Sequence, residues 1–364
     1  MKKYLSLFLS LGIFIGCFAG CNGTEPPEKI DSTPTDSAPA ETPADTPKET
    51  SDETPKETQT ETPTDTEKEE EPEKPLGKEA LQGKKVLVIG NSHTYFGKLV
   101  IEKTQSILTQ KERSNDEGYF YQLCKANGVD VSVTNWTFGN HDFTDLFENC
   151  TADRGCDNVK HLDYLTDRNF DYVIMQQGVA AQAEEEFLEK CQMVMDIFKE
   201  ANPDVKFVFL VQRRLYENQY QWRGAIKKLP EMGVMVADWG AIVDDVITGK
   251  TVVPGATVEF DQNSFIIRKS ESDGYHPNML AGYITALMAY CVITGEQAVG
   301  QPYEFATDKT ISSKFNTAIF KSNYYKYKSA KTNFDVVLKS EADIRGIQAL
   351  VDQYIEEKNY MYLG

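Results

Sequence analysis

Ser92 stands in Gly90-Asn91-Ser92-His93, directly after the apolar run Lys85-Val86-Leu87-Val88-Ile89. Far downstream, Asp273 and His276 lie three apart in Asp273-Gly274-Tyr275-His276-Pro277-Asn278. A serine on the turn that leaves a strand presents its hydroxyl at the carboxyl end of a sheet, and becomes a nucleophile once a base takes its proton. A D-x-x-H pair on a loop supplies such a base and the carboxylate that holds its tautomer, because that spacing lets both side chains point into one cleft. The three residue types together describe acyl transfer through a covalent serine intermediate. Singly, each has a plainer explanation, since small residues suit any tight turn and a histidine before a helix can simply pack or cap. Their placement at the first strand and just before the last helix of the repeat is what points to catalysis.

The elements that must position them alternate along the chain. Strand patterns fall at 85–90, 129–135, 171–176, 205–211 and 233–238. Helical patterns fall at 98–110, 116–127, 142–148, 157–167, 184–201, 218–231, 239–248 and 278–294, with an irregular stretch from 249 to about 272. Pro277 and Asn278 are expected to open the 278–294 helix, with proline suited to its first turn. Short apolar strands alternating with amphipathic helices imply a parallel sheet covered on both faces. The expected fold is therefore α/β, a three-layer α/β/α sandwich with a five-stranded parallel sheet in flavodoxin-like order 2-1-3-4-5, and ligands bind beyond the carboxyl ends of such strands. Residues 300–364 are less regular, and 341–358 reads as a terminal helix expected to pack on the flank of the domain.

The rest of the chain divides by composition. Residues 1–21 read as a secretory signal, with Lys2 and Lys3 before the apolar run 4–18, which is short for a transmembrane helix of about 20 residues. Phe18-Ala19-Gly20-Cys21 looks like a bacterial lipobox, in which Cys21 is lipidated and anchors the chain to a membrane; Phe14-Ile15-Gly16-Cys17 is a weaker second candidate, and a plain cleaved signal is the alternative. Residues 22–80 hold 10 of the 15 prolines and 18 acidic residues against six lysines, a net charge of −12, with almost nothing to bury. Such a segment is expected to be a disordered tether, reaching on the order of 180 Å if extended. The whole chain carries −18 and Lys2 and Lys3 contribute +2, so residues 81–364 carry only −8. That mildly acidic domain has no basic stripe, which argues against nucleic acid as a partner.

Cys124, Cys191 and Cys291 fall in helical patterns and read as small buried hydrophobes. Cys150 and Cys156 flank a loop that a disulfide would clip, and the sequence leaves open whether they pair. No cofactor and no metal are called for. His93 and His141 stand beside the candidate residues as pocket or substrate-contacting groups, and Tyr95, Trp136 and Tyr275 are candidates for an aromatic wall.

Over about residues 84–296 the pattern resembles the SGNH/GDSL hydrolase superfamily, whose four blocks are named for Ser, Gly, Asn and His. Gly90-Asn91-Ser92 resembles the first block, with Asn91 where Asp is usual, and Asp273-x-x-His276 resembles the last. The resemblance implies that Gly139, in Asn135-Trp136-Thr137-Phe138-Gly139, donates a backbone N–H to the oxyanion. The third block departs: Gly178 is in place, but Ala180 stands where the family has Asn, and Gln176 and Gln177 are the nearest amides. A divergent branch of the superfamily similarly joins Gly-Asn-Ser to a strand-ending Gln, which implies Gln176, with Gln177 second, as the donor; adjacent strand residues face opposite ways, so one of the two reaches the site.

The resemblance implies catalytic Ser92, His276 and Asp273, with Gly139, Gln176, Gln177 and Asn91 around the oxyanion. The expected activity is hydrolysis of small acyl esters, acetyl foremost, on carbohydrate by an extracytoplasmic lipoprotein. The alternative is a surface protein of the same fold that binds carbohydrate with little or no turnover. The oligomeric state is open, with a monomer as the simplest arrangement.

Overall fold

The structure, a computed structural model, describes residues 77–97, 99, 118–139, 141–148, 161–165, 167–178, 182–213, 221–267, 276–306 and 340–358. The signal and lipobox with Cys21, the tether to residue 76, the pattern at 98–110 beyond residue 99, and Cys150 and Cys156 lie outside these residues.

Five strands form one parallel sheet: β1 (Lys84–Gly90), β2 (Val131–Thr137), β3 (Tyr172–Met175), β4 (Lys206–Leu210) and β5 (Val234–Ala237). Their order is β2-β1-β3-β4-β5, as the alternating pattern requires. The inner strands carry apolar runs because both faces are covered, while β2, at the sheet edge, mixes Val131, Val133 and Trp136 with polar residues. On β1, Val86 and Val88 face one core, while Leu87 and Ile89 face the other. β3 splits in the same way, with Tyr172 and Ile174 against Val173 and Met175. The strand expected at 129–135 lies two residues later, since Gly128, at φ 74°, and the residues beside it make the turn that leads into it.

The first core packs under α2 (Tyr119–Ala126), α5 (Trp239–Ile247), α7 (Met279–Thr294) and α8 (Glu341–Lys358). The second packs under α3 (Phe143–Phe147) and α4 (Glu184–Ala201), the latter burying Phe187, Cys191, Val194, Met195 and Phe198. Every residue of α7 is buried, which is the signature of a helix enclosed on all sides rather than one with a solvent face. α8 buries Ile344, Ile347, Leu350 and Val351 in the same core, so the terminal helix contributes to the interior of the domain. Cys124, Cys191 and Cys291 are buried free thiols, and burial pushes the Cys124 thiol up to about 12. The described part of the 218–231 pattern forms two 3-10 segments, Gln221–Lys228 and Pro230–Met232, in place of an α-helix; Pro230 lacks the N–H a continuing helix needs. Among the described residues no helix is long and apolar enough to cross a membrane.

One contact in the first core bears on the site. Gly282, in the first turns of α7, meets Gly97 at the exit of α1 (Ser92–Tyr95); a Cβ built on Gly282 would lie 1.5 Å from the Gly97 carbonyl oxygen. Only two glycines allow the backbones this approach. Gly282→Ala should therefore lower stability by about 2–3 kcal/mol through overpacking. A denaturant midpoint unchanged from wild type would show that the two backbones do not meet there.

Candidate functional site

β1 ends at Gly90, where a Cβ would meet the Thr94 hydroxyl oxygen at 2.2 Å. The chain then turns at once into α1, with Asn91 as N-cap (φ −139°, ψ −154°) and Ser92 as the first helical residue. The Asn91 Oδ1 accepts from the His93 N–H at 3.1 Å, the bond expected of an asparagine cap. Ser92 is half-buried at the rim left by this turn.

His276 arrives from the other end of the domain. Ile266–Ile267 (β6) pairs antiparallel with His276–Pro277 (β7), placing Ile267 opposite His276. The stretch before it was expected to be irregular, yet it contains α6 (Gln262–Phe265), opened by a capping box between Asp261 and Ser264. The D-x-x-S spacing was the available signal. The helix after His276 begins at Met279, with Asn278 as N-cap rather than Pro277 in its first turn. The Asn278 Oδ1 accepts from the N–H groups of Leu280 and Ala281, and its Nδ2 donates to the Ser264 carbonyl at 2.7 Å. These bonds satisfy two of the free N–H groups at the start of α7. The result places His276 Nε2 at 2.9 Å from Ser92 Oγ. The His276 ring stacks on His93 with centroids 4.9 Å apart and meets Phe96 at 4.6 Å, so aromatic faces restrict its rotation.

The ends of β1, β2 and β3 emerge together because their registers align Gly90 with Thr137 and Ile89 with Met175. Polar side chains then tie the three loops. Asn91 Nδ2 donates to the His141 carbonyl at 3.0 Å. Gln176 Nε2 donates to Asn91 Oδ1 at 3.2 Å, and its Oε1 accepts from the Thr94 hydroxyl at 2.5 Å. Gln177 Oε1 accepts from the N–H groups of Phe143 and Gly178, at 2.8 and 3.0 Å. A Cβ on Gly178 would lie 2.8 Å from Asp142 Cβ and 2.9 Å from the His141 carbonyl oxygen, so this position needs glycine for close approach, while one on Gly139 would meet the Tyr95 hydroxyl at 2.8 Å. Neither Gln176 nor Gln177 turns outward: both are buried. The alternation rule does not separate them, because β3 ends at Met175.

Ser92 and His276 are thus brought together, with Asn91, Gly139, Gln176 and Gln177 in the loops tied around them. Asp273 and Tyr275 lie outside the described residues. Trp136 packs edge-on against Phe138 and Phe147 in the second core rather than in a wall of the site, and Tyr95 is buried beside Gly139. Thr94 and Gln212, whose Nε2 donates to the Gln177 carbonyl at 3.1 Å, belong to the same network and were not singled out in the sequence, since nothing local marks a threonine or a strand-ending glutamine as a partner of another loop. Among the described residues no three His, Cys, Asp or Glu side chains converge as a metal site would need.

His141 and His161 form a second pair. The His141 Nδ1 lies 2.6 Å from the Gly139 carbonyl, and its ring meets His161 edge to face at 5.1 Å. His161 is fully buried, against Phe138 as well. Burial, reinforced by His141, lowers its pKa to about 4.

No family model matches the chain, and no curated protein matches it. Among solved structures, it is similar to an acetylxylan esterase from Geobacillus stearothermophilus, at 16% identity, over 61% of this chain and 97% of that one, with a TM-score of 0.39. It is also similar to a protein of Parabacteroides merdae described as GDSL-like, at 15% identity, over 59% and 97% of the two chains, with a TM-score of 0.37. A third is a carbohydrate esterase family 2 enzyme of Myceliophthora fergusii, at 14% identity, over 59% and 67%, with a TM-score of 0.36. At such identities and scores the chemistry of this chain rests on its own atoms.

His161 yields a prediction about pH. A histidine whose folded pKa lies below its ordinary 6.5 stays neutral in the fold and takes up a proton on unfolding, so stability is level above pH 6.5 and falls as pH drops towards about 4. Urea unfolding across this window should show a shallower loss in His161→Phe than in wild type. Parallel curves would mean that His161 titrates alike in both states.

Proposed function

We propose that this chain is a serine ester hydrolase, with Ser92 as nucleophile and His276 as its base. The observation that carries the reading is the 2.9 Å separation of Ser92 Oγ and His276 Nε2, two residues 184 positions apart that have no packing reason to meet through these atoms. For Nε2 to accept the serine proton, the ring's own proton sits on Nδ1, and Asp273 is assigned the task of holding that tautomer and stabilising the imidazolium.

The reaction then runs in two halves. Ser92 Oγ attacks the ester carbonyl while its proton passes to His276 Nε2. The carbonyl oxygen becomes an oxyanion, assigned to the backbone N–H groups of Ser92 and Gly139. Collapse expels the alcohol, protonated by His276, and leaves an acyl-serine. Water, deprotonated by the same nitrogen, attacks the acyl carbon and releases the acid and free Ser92.

The substrate class is a small acyl ester, acetyl foremost, on a carbohydrate alcohol. This is supported by the superfamily resemblance of the motifs together with the signal, the lipobox at Cys21 and the acidic tether, which we read as the marks of an extracytoplasmic, lipid-anchored protein. Purified chain should hydrolyse p-nitrophenyl acetate, and Ser92→Ala should lower turnover on the order of 10⁴-fold or more, to background. Equal rates for the two proteins would remove the enzyme reading and favour a binding protein.

A further inference from the structure

We infer that Gln176 is a positioning residue that acts on Ser92 through Asn91, and that the oxyanion is received by the backbone N–H groups of Ser92 and Gly139 without a side-chain amide. This inference rests on the hydrolase reading and assigns the third block a task different from donation to substrate.

The amide inventory carries it. A glutamine offers two N–H donors and one carbonyl oxygen. The Gln176 Nε2 donates to Asn91 Oδ1 at 3.2 Å and, more weakly, to the Gln177 carbonyl at 3.4 Å, while Oε1 accepts from the Thr94 hydroxyl. The residue is 2% exposed. No N–H of Gln176 is left to meet a substrate. Gln177 is oriented by two backbone N–H groups on its Oε1, and its Nε2 is fully enclosed with no hydrogen-bond acceptor among the described residues. A donor that serves an oxyanion must be reachable from the cleft, and this one is not.

The backbone offers what the side chains withhold. Ser92 N–H is the first of α1 and so has no carbonyl four residues back to bond. Neither it nor the Gly139 N–H has a hydrogen-bond partner among the described residues. Gln176 instead braces α1 from both sides. It bonds Asn91, immediately before Ser92, and Thr94, two residues after it. Asn91 in turn holds the His93 N–H and the His141 carbonyl, and His141 is bonded to Gly139. The chain from Gln176 through Asn91 and His141 therefore ends at the Gly139 carbonyl on one side and beside Ser92 on the other, at the two residues that carry the backbone donors. In this arrangement the block-three amide sets the distance between the Ser92 and Gly139 N–H groups.

A double-mutant cycle on the full chain with p-nitrophenyl acetate tests this. Gln176→Met keeps the volume and removes the polar atoms; Asn91→Ala removes the relay. Each should lower kcat about tenfold or more with KM little changed, and the double variant should fall within about threefold of the worse single one, since residues acting through one contact are not additive. Losses that multiply would overturn the inference, because an oxyanion donor acts independently of Asn91. Wild-type kcat in a Gln176→Met protein of lowered thermal stability would also overturn it, by reducing Gln176 to packing. Should these variants not fold, Thr94→Val removes only the hydroxyl that holds Gln176 Oε1 and should still lower kcat several-fold; an unchanged kcat there would refute the bracing role. Ser92→Ala in the same assay separates the premises: if it matches wild type, the hydrolase reading itself has failed.

Discussion

The backbone contact between Gly97 and Gly282 is the constraint on which the site depends. Ser92 and His276 belong to opposite ends of the domain, and no local preference brings them together. The first turns of α7 can sit on the exit of α1 only because neither chain carries a Cβ at the crossing. α7 is in turn fixed by burial on every side, so its position is set by the whole first core. The Asn278 cap and the β6–β7 bridge then convert the position of a helix into the position of one imidazole. Precision in the 2.9 Å contact thus comes from rigid packing, with the imidazole only a few bonds from a fully enclosed element.

The other half of the site is held by polar groups. Parallel register delivers the ends of three strands to one edge, and Asn91, Gln176, Gln177 and Gln212 stitch the loops that follow. These amides are buried, which costs free energy unless their hydrogen bonds are made. Most are made, and with backbone groups or with one another, so the network specifies one loop arrangement among many. This buried network surrounds the half-buried Ser92. Apolar packing fixes His276 and polar stitching fixes the Ser92 turn, and the two systems meet where His276 faces Ser92.

Much of the fold was legible in the chain. β1, β3, β4 and β5 are unbroken apolar runs, and α4 and α8 carry clear helical periodicity, so type and order follow from local pattern. The misses have local causes too. The Gly128 turn delayed β2, Pro230 divided the 218–231 segment, and the four-residue helix that the D-x-x-S capping box at Asp261 opens was too short to show a periodicity in a stretch that looked irregular. Asn278 rather than Pro277 starts α7, because a side-chain acceptor can satisfy two free N–H groups and a proline none.

The candidate site divides along the same line. Residue chemistry is a property of the sequence: a serine after a strand, a histidine before a helix and a run of amides at a strand end are all visible in one dimension. Which amide does what is not. Gln176 and Gln177 look equivalent in the chain, and a resemblance between motifs assigns either of them to the oxyanion. Only the folded chain decides, because a hydrogen-bonding group has a fixed number of donors and acceptors, and whether any are left for substrate depends on neighbours such as Asn91, Thr94 and Phe143 that pair with it across the sheet. The sequence by itself determined the strands, the helices and the identities of the reactive groups, since these follow from periodicity and composition. The tertiary structure decided which groups stand within reach of one another and which are already occupied, since both are set by contacts between distant segments.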